Sequence, residues 1–206
     1  MRDVIYLMNL SLDGFVEGPD GKFDWAYPDD EVHQFHNDTA RDMGALLYGR
    51  RMYETMAGWQ TADQDPSATP IMREFARIWR EKPKIVFSTT LKAVGENCRL
   101  VRGDLAREVS ALRQQAGGPL AVSGPLGVSG PLAVSGPGLA ASLARHGLIN
   151  EYRLVLYPVL AGGGKPYFPG LGQTVHLRLL ETRIFRCGAV YLRYRAADSG
   201  TEGATR

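Results

Sequence analysis

The chain has 206 residues, of which 44% are hydrophobic and 22% are charged, and its formal net charge at pH 7 is +2. This length and composition predict one sizeable hydrophobic core, and the scattered basic residues argue against a nucleic-acid-binding surface. No run approaches the ~20 apolar residues of a membrane-spanning helix, and the N-terminal apolar run lacks the features of a signal peptide. The two cysteines, Cys98 and Cys187, form no close pair, so we expect a soluble protein in the reducing cytoplasm.

Strand and helix patterns alternate along the first half of the chain. In chain order the predicted elements are Val4–Leu10 (strand), Asp30–Asp42 (helix), Ala45–Tyr48 (strand), a helix that begins at Arg50, a helix marked by Ile71, Phe75, Ile78 and Trp79 that ends before Pro83, Lys84–Ser88 (strand) and a helix capped by Asp104 that runs to about Gln115. Strands that alternate with helices indicate βαβ units. The predicted fold class is therefore α/β with three layers, in which helices cover both faces of a mainly parallel sheet.

A hexapeptide repeat follows the fourth predicted helix. Its three copies, Gly-Pro-Leu-(Ala/Gly)-Val-Ser, begin at Gly118, Gly124 and Gly130. The third copy leads without a break into Gly136-Pro137-Gly138 and an alanine-rich segment, which together predict a strand, a tight turn and a helix. We therefore predict that Leu132–Ser135 forms the core strand and that Gly118–Ser129 is an inserted loop. A hexapeptide β-helix is disfavoured, because such stacks need more copies.

The last part of the chain predicts one more strand and a hairpin. Tyr152–Tyr157 is the strand, and Leu177–Phe185 and Ala189–Arg195 alternate well enough for an antiparallel pair. This C-terminal hairpin makes the predicted sheet mixed. Its strands leave edges at the surface, so we expect a homodimer that covers them. Residues 1–196 are predicted to form a single domain, and residues 197–206 a flexible tail.

Three predicted strand ends carry residues suited to phosphate binding. Gly49-Arg50-Arg51 places two guanidiniums at a helix start, where the helix N-terminus also attracts anions. Ser88-Thr89-Thr90 offers hydroxyls to a ribose or a phosphate. Ser135-Gly136-Pro137-Gly138 is a glycine turn that lets the backbone approach an anion. Because the carboxyl ends of parallel strands share one sheet edge, we expect the three segments to form one ligand site there.

Each of these segments also has a structural interpretation. An arginine at a helix start often forms a surface salt bridge, and Ser88-Thr89-Thr90 by itself favours a turn or a helix cap. Gly136-Pro137-Gly138 lacks the third glycine of a dinucleotide-binding fingerprint, because Ala141 stands at that position. The occurrence of all three segments at strand ends is what favours a phosphate site.

Three acidic residues are candidates for catalysis. Asp13 lies in the turn after the first strand, and Asp30 and Glu31 open the first helix. A carboxylate at either place is suited to orient a polar substrate or to relay a proton. The structural alternatives are a turn at Asp13-Gly14 and a helix N-cap at Asp30.

Two further motifs are not predicted to be sites. His33 and His36 lie one helical turn apart, but no third metal ligand is evident, so we predict solvated helix residues and no metal. Gly162-Gly163-Gly164-Lys165 lacks the spacing and the following Ser or Thr of a P-loop. We expect it to be a flexible loop beside the site.

Six segments, taken together, carry a family resemblance. They are Met8–Phe15 (MNLSLDGF), Leu47–Glu54 (LYGRRMYE), Ile85–Thr90 (IVFSTT), Val134–Leu139 (VSGPGL), Gly147–Tyr152 (GLINEY) and Pro158–Gly164 (PVLAGGG). In this order they resemble the dihydrofolate reductase-like superfamily. They are more closely similar to the reductase domain of the bacterial bifunctional riboflavin deaminase–reductase and its stand-alone relatives. The resemblance spans roughly Val4 to Tyr194.

The resemblance implies an NADPH-binding α/β fold and an oxidoreductase that transfers hydride to a small heterocycle. The residues it implies in cofactor binding are Gly49, Arg50 and Arg51 near the adenosine 2′-phosphate, Ser88 and Thr89 beside the adenosine, and Ser135, Gly136, Pro137 and Gly138 along the pyrophosphate. In the riboflavin pathway such domains reduce a ribosylamino-pyrimidine, which implies 5-amino-6-(5-phosphoribosylamino)uracil as the substrate. In dihydrofolate reductases an acid at the first helix protonates the pterin, and Asp30 or Glu31 falls near that place. The alternatives are a pterin- or dihydrofolate-type reductase and a non-catalytic nucleotide-binding module.

Overall fold

The computed structural model describes residues 1–26, 28–123, 136–168 and 170–197. Its strands are β1 (Val4–Ser11), β2 (Phe15–Glu17), β3 (Ala45–Gly49), β4 (Lys84–Phe87), β5 (Cys98–Val101), β6 (Leu120–Ser123), β7 (Glu151–Tyr157), β8 (Lys165–Pro166), β9 (Leu177–Ile184) and β10 (Val190–Ala196). Its α-helices are α1 (Asp30–Asp42), α2 (Arg50–Met56), α3 (Pro70–Glu81), α4 (Leu105–Gln114) and α5 (Gly136–Arg145), and short 3-10 helices span Asp24–Ala26, Ala57–Gln60 and Ala62–Gln64.

Eight of these strands form one mixed sheet in the order β5-β4-β3-β6-β1-β7-β10-β9, and β2 and β8 form a separate antiparallel pair. Every neighbouring pair from β5 to β7 is parallel, and β10 is antiparallel to both of its neighbours. Residues Val4 to Met8 of β1 are all buried, so both faces of the sheet are covered at its centre. The predicted α/β fold with a mainly parallel sheet and a C-terminal hairpin is confirmed.

Besides β2 and β8, which had no predicted counterpart, and β6, the described helices and strands differ from the sequence patterns at two places. The first concerns the cap of α1, which is Asp29 and not Asp30: its side chain accepts a hydrogen bond from the Val32 N–H at 2.9 Å. The second is β5, which had no predicted counterpart. Only Val101 in this short strand is fully buried, so its residues show no clear apolar alternation. The predicted tail lies outside the described residues except for Ala197.

The strand between β1 and β3 is built from the first copy of the hexapeptide. Leu120 pairs with Val4 of β1 and with Ala45 of β3, and it is completely buried. The prediction that Leu132–Ser135 forms this strand and that Gly118–Ser129 is an inserted loop is therefore wrong. Residues 124–135, which include the second and third copies, lie outside the described part of the chain.

The residue before each copy explains this choice. Gly117 adopts a φ of +138°, which L side chains rarely adopt, and a Cβ at this position would lie 3.3 Å from the Arg2 guanidinium carbon. The Arg2 Nε also donates a hydrogen bond to the Gly118 carbonyl oxygen at 2.6 Å. The equivalent residues before the second and third copies are Ser123 and Ser129. Only the first copy is therefore preceded by the glycine that this entry to the strand requires.

A single-copy chain tests whether the two additional copies contribute to stability. Deleting residues 118–129 or residues 124–135 yields the same sequence, because the first and third copies are identical. The remaining copy keeps Gly117 before it and Gly136 after it. We expect the free energy of unfolding, measured by urea denaturation, to stay within about 1 kcal/mol of the parent, because loop-closure entropy depends only weakly on length. In addition, β3 joins α2 in this fold without an intervening residue. A loss of cooperative unfolding would show that the extra residues are needed between β6 and α5.

Candidate cofactor and substrate site

The carboxyl ends of β4, β3 and β6 lie side by side, because these neighbouring strands are parallel. Gly49, the last residue of β3, pairs in register with Phe87 of β4. Immediately after Gly49, Nη1 of Arg50 donates a hydrogen bond to Oγ1 of Thr90 at 3.0 Å. The structure therefore brings the Gly49 and Ser88 segments together, as the sequence predicted.

Helix α5 begins at the same edge of the sheet. Asn150, which follows the helix, exchanges hydrogen bonds with the backbone of Val4 at the amino end of β1, both at 2.9 Å. The ten residues of α5 span about 15 Å and pack against β3 and β6. Gly136-Pro137-Gly138 at the start of the helix is therefore placed towards the carboxyl edge. Ser135, the fourth predicted residue of this segment, lies outside the described residues.

The two arginines of α2 have different surroundings. The Nε atom of Arg50 donates to Glu54 at 2.8 Å, and its Nη1 atom donates to Thr90. Arg51 is exposed and has no hydrogen-bond or ion-pair partner among the described residues. It lies close enough to Lys165 to contribute to lowering the pKa of that ammonium group, after burial, which is the larger cause. Arg50 is thus directed to the end of β4, whereas Arg51 is available to an anion from solution.

The Ser88 segment forms a hydrogen-bonded turn. The Ser88 hydroxyl oxygen accepts hydrogen bonds from the backbone N–H groups of Thr90 at 3.2 Å and Leu91 at 3.0 Å. Thr89 is exposed at the tip of the turn, and its carbonyl oxygen accepts a hydrogen bond from Arg102. The structural interpretation of this segment is therefore correct, and the turn presents the exposed Thr89 hydroxyl at the sheet edge.

Asp13 holds the glycine loop rather than lying free in the site. Its two carboxylate oxygens accept hydrogen bonds from the N–H groups of Ala161 at 3.0 Å and Gly162 at 2.8 Å. Hydrogen bonds from the Ser11 side chain and from this loop lower the pKa of Asp13. Gly164 packs so tightly on β2 that a Cβ would lie 2.0 Å from the Glu17 carbonyl oxygen. These contacts attach the loop to β2 and to the turn after β1, and the flexibility of the loop stays a prediction.

The two predicted acids of α1 also differ. Glu31 accepts hydrogen bonds from the Arg186 N–H at 3.0 Å and from the Arg183 guanidinium at 3.1 Å, which ties α1 to the β9–β10 turn. The backbone N–H of Arg186 and the Arg183 guanidinium lower the pKa of Glu31, so this carboxyl group is a poor proton donor. Asp30 is exposed and has no hydrogen-bond partner among the described residues. Asp30 is thus the predicted acid whose carboxylate remains available to a substrate.

Sequence reasoning missed three buried polar atoms, which lie on β1, on β7 and in the short helix before α1. The Asn9 Oδ1, Trp25 Nε1 and Tyr157 hydroxyl atoms have no hydrogen-bond partner within the described structure. Ser11 of β1 pairs with Tyr157 of β7, and the Tyr157 ring meets the Trp25 ring edge-on at 6.4 Å. A buried polar atom without a partner costs about 1–3 kcal/mol, so such atoms are candidates for ligand contact. Their signal in the sequence was weak, because each lies singly within an apolar or turn segment.

His33 and His36 are buried, so the prediction of solvated histidines was wrong. They are 7% and 0% exposed, and the His33 ring packs edge-on against Trp59 at 6.3 Å and Phe75 at 6.2 Å. Burial lowers the pKa of His36 to about 3, and neither of its ring nitrogens has a partner among the described residues. Within the described part of the chain, no group of three or more His, Cys, Asp or Glu side chains is arranged to hold a metal ion.

The family of the chain is decided by its match to the RibD C-terminal domain, which covers residues 2–191. The chain belongs to this family. The chain is 28% identical to the uncharacterized protein YyaP of Bacillus subtilis over 193 residues, which are 94% of each chain. No helix among the described residues is both long and apolar enough to cross a membrane.

Solved structures confirm the fold of this RibD C-terminal domain protein. A protein of Shewanella sp. PV-4 assigned to riboflavin biosynthesis superposes with a TM-score of 0.70 at 19% identity, covering 96% of this chain and 100% of the other. Dihydrofolate reductase from Enterococcus faecalis, complexed with NADP(H) and RAB-propyl, superposes with a TM-score of 0.59 at 14% identity, covering 95% and 97% of the two chains. The dihydrofolate reductase-like fold implied by the sequence motifs is therefore correct.

Proposed function

We propose that the protein is an oxidoreductase that uses NADPH to reduce a small heterocyclic substrate. The observation that carries the proposal is the convergence of the Gly49-Arg50-Arg51, Ser88-Thr89 and Gly136-Pro137-Gly138 segments at one edge of the sheet. The Arg51 guanidinium, which has no hydrogen-bond or ion-pair partner among the described residues, and the exposed Thr89 are suited to phosphate oxygens. The start of the ten-residue helix α5 is suited to them as well. Family membership and the NADP(H)-bound dihydrofolate reductase of the same fold support this proposal.

Each segment is proposed to contact a different part of NADPH. Arg50, beside Thr90, and Arg51 bind the adenosine 2′-phosphate, while Ser88 and Thr89 flank the adenosine. Ser135 and Gly136-Pro137-Gly138 bind the pyrophosphate. Bound NADPH supplies the hydride, and the protein supplies orientation and electrostatics.

The substrate is proposed to bind between the start of α1 and the ends of β1 and β7. The Trp25 Nε1 and Tyr157 hydroxyl atoms lie there without a partner among the described residues, and Asn9 lies on the neighbouring strand β1. Asp29 is close enough to contribute to raising the pKa of Tyr157, for which burial is the largest cause. A phenol held neutral donates a hydrogen bond to a carbonyl or a ring nitrogen. Asp30 is the proposed proton relay. A pyrimidine such as 5-amino-6-(5-phosphoribosylamino)uracil matches these donors and acceptors, and the family favours it.

A cofactor titration tests the proposal. Purified protein is titrated with NADPH and NADH while intrinsic tryptophan fluorescence is recorded. We expect NADPH to bind at least about tenfold more tightly than NADH, which corresponds to ~1.4 kcal/mol. Absence of binding by either nucleotide would refute the proposed function. Turnover is then followed by the loss of NADPH absorbance with 5-amino-6-(5-phosphoribosylamino)uracil and with dihydrofolate, and the substrate that reacts separates the two reductase types.

A non-catalytic nucleotide-binding module is the second candidate function. The observation that favours it is the engagement of Asp13 and Glu31 in structural hydrogen bonds, which leaves Asp30 as the one available carboxylate of the three predicted acids. NADPH binding without oxidation across a panel of pteridines and ribosylamino-pyrimidines would support this candidate over the reductase.

A homodimer is proposed to form through the C-terminal strands. On one face of β7, β10 and β9 the register aligns Leu154, Leu192 and Thr182 in one row and Leu156, Val190 and Ile184 in the next. Ile184 is 74% exposed. The charged residues of these strands, including the buried Glu151 and its three arginine partners, lie on the opposite face. A second copy therefore meets this uncharged face without like-charge repulsion.

Sedimentation analysis tests the dimer. We expect the parent to sediment as a dimer and the Ile184→Asp variant as a monomer, because the substitution places two carboxylates within one apolar contact. Arg107→Asp, on the exposed side of α4, is the matched control and is expected to remain dimeric. A monomeric parent would exclude the proposed interface.

A further inference from the structure

The contacts that fix β6 are made by residues that recur in the third copy of the hexapeptide. Leu120, Ala121 and Val122 are buried between β1 and β3, and the Pro119 carbonyl accepts a hydrogen bond from the Gly44 N–H at 2.8 Å. Gly118 approaches the Gly44 backbone so closely that no side chain would fit on Gly44. Residues 130–135 repeat all six of these amino acids in the same order. The third copy therefore carries the same side chains, in the same order, as those that fill the place between β1 and β3.

The connections to the neighbouring helices also allow either copy. The third copy ends immediately before Gly136, the first residue of α5. Elsewhere in the same sheet, β3 ends at Gly49 and α2 begins at Arg50, so a strand joined directly to its helix already occurs in this fold. Moving the register by two copies leaves α4 and α5 unchanged. It only transfers the longer connection from the carboxyl end of β6 to its amino end.

Two features set the balance between the copies. Gly117, before the first copy, adopts a φ of +138° without strain. If the third copy formed the strand, Ser129 would stand in the place of Gly117 and would have to adopt this φ beside Arg2. The second copy has Gly127 at the position of Ala121 and loses a buried methyl group. The third copy is therefore the main competitor of the first, at a disadvantage that resides in one backbone position.

We propose that β6 exchanges between two registers, in which the first or the third copy of the repeat fills the same place in the sheet. Gly117 favours the first copy. In that register the second and third copies come between β6 and α5 in the chain. In the other register the first and second copies precede the strand, beside a cleft of about 620 Å³ that Arg2, Gly44 and Gly117 help to line at the opposite edge. The exchange thus decides whether the extra residues come before or after β6 in the chain, and it does not depend on the proposed cofactor.

Hydrogen–deuterium exchange with matched substitutions tests this proposal. Leu120→Asp places a carboxylate at a completely buried position of the first copy, and Leu132→Asp makes the same change in the third copy. Peptides from the two copies are distinguished by their flanking residues. In Leu120→Asp we expect the protein to stay folded, with amide protection transferred from residues 118–123 to residues 130–135. In Leu132→Asp we expect protection to stay with residues 118–123. Unfolding of Leu120→Asp, or a folded variant without protection of the third copy, would overturn the proposal.

A milder variant gives a second, independent result. Gly117→Ser makes the residue before the first copy the same as the residue before the third, without a charge in the core. We expect the protected fraction to be divided between the two copies, whereas the parent protects the first copy. If Gly117→Ser lowers the stability and leaves all protection with the first copy, exchange between registers is excluded.

Discussion

Replacement of Arg50 and Arg51 together by alanine is expected to abolish most of the preference for NADPH over NADH. A charge-assisted hydrogen bond to a phosphate contributes about 1.5–3 kcal/mol, so loss of the contacts to the 2′-phosphate lowers the preference roughly 10- to 100-fold. Binding of NADH, which lacks this phosphate, changes much less. The two affinities are measured by the same fluorescence titration, and their ratio is the diagnostic quantity.

The single variants separate the roles of the two arginines. Arg50 is directed to Thr90 at the end of β4, whereas Arg51 lies near Lys165. Arg50→Ala is therefore expected to lower the NADPH-to-NADH ratio more than Arg51→Ala does. Stability changes little, because the exposed Arg50–Glu54 pair contributes only about 0.3–0.5 kcal/mol. Arg77→Ala on the exposed side of α3 is the control. An unchanged ratio in the double variant would mean that the 2′-phosphate binds elsewhere.

Substitution of His36 by leucine is expected to remove much of the loss of stability in mild acid. The pKa of His36 is about 3 in the folded protein and 6.5 in the unfolded chain, so the unfolded state binds the proton first. The free energy of unfolding therefore falls as the pH falls below about 6.5. One pKa unit corresponds to about 1.4 kcal/mol, which gives roughly 2 kcal/mol at pH 5 and about 4 kcal/mol near pH 3.

The useful range for this measurement is pH 7 to 5. Carboxylates with lowered pKa values, such as Glu31 and Glu151, reduce the stability only when the pH approaches their unfolded values near 4.5. His33, whose pKa is also lowered by burial, contributes to the same range and leaves a residual slope in His36→Leu. Urea unfolding at several pH values measures the slope, and His146→Leu at an exposed position is the control. Equal slopes in the parent and His36→Leu would show that His36 is not the titrating group.

Much of the fold follows from local patterns. Helix α1 has the predicted limits Asp30–Asp42, and Asp104 caps α4 by accepting a hydrogen bond from the Arg107 N–H at 2.9 Å. These elements were predictable because apolar spacing and capping residues act within a few neighbouring positions. The pair β2 and β8 was not predictable, because strands of three and two residues show no periodicity and are defined by their pairing alone.

The residues of the candidate site were also predictable from the sequence only in part. The Gly49, Ser88 and Gly136 segments were identified because each follows a strand or opens a helix, and parallel strands bring such ends together. The partners of Asp13 and Glu31 were not identifiable, since Ala161 and Arg186 are distant in the chain. Those partners favour structural roles for both carboxylates, and their catalytic assignment stays a prediction. His36 was mistaken for a solvated residue because its polarity, by itself, does not show which face of α1 meets the sheet.

The sequence by itself determined most of the strands and helices and their order, the family and the three segments at the proposed cofactor edge, because each depends on local patterns. Only the tertiary structure decided which copy of the hexapeptide forms β6. The first and third copies have identical residues, so no local propensity or hydrophobic pattern distinguishes them. The distinction comes from Gly117 and its packing against Arg2, which is more than a hundred residues away in the chain. Contacts of this kind exist only once β1, β3 and β6 have assembled.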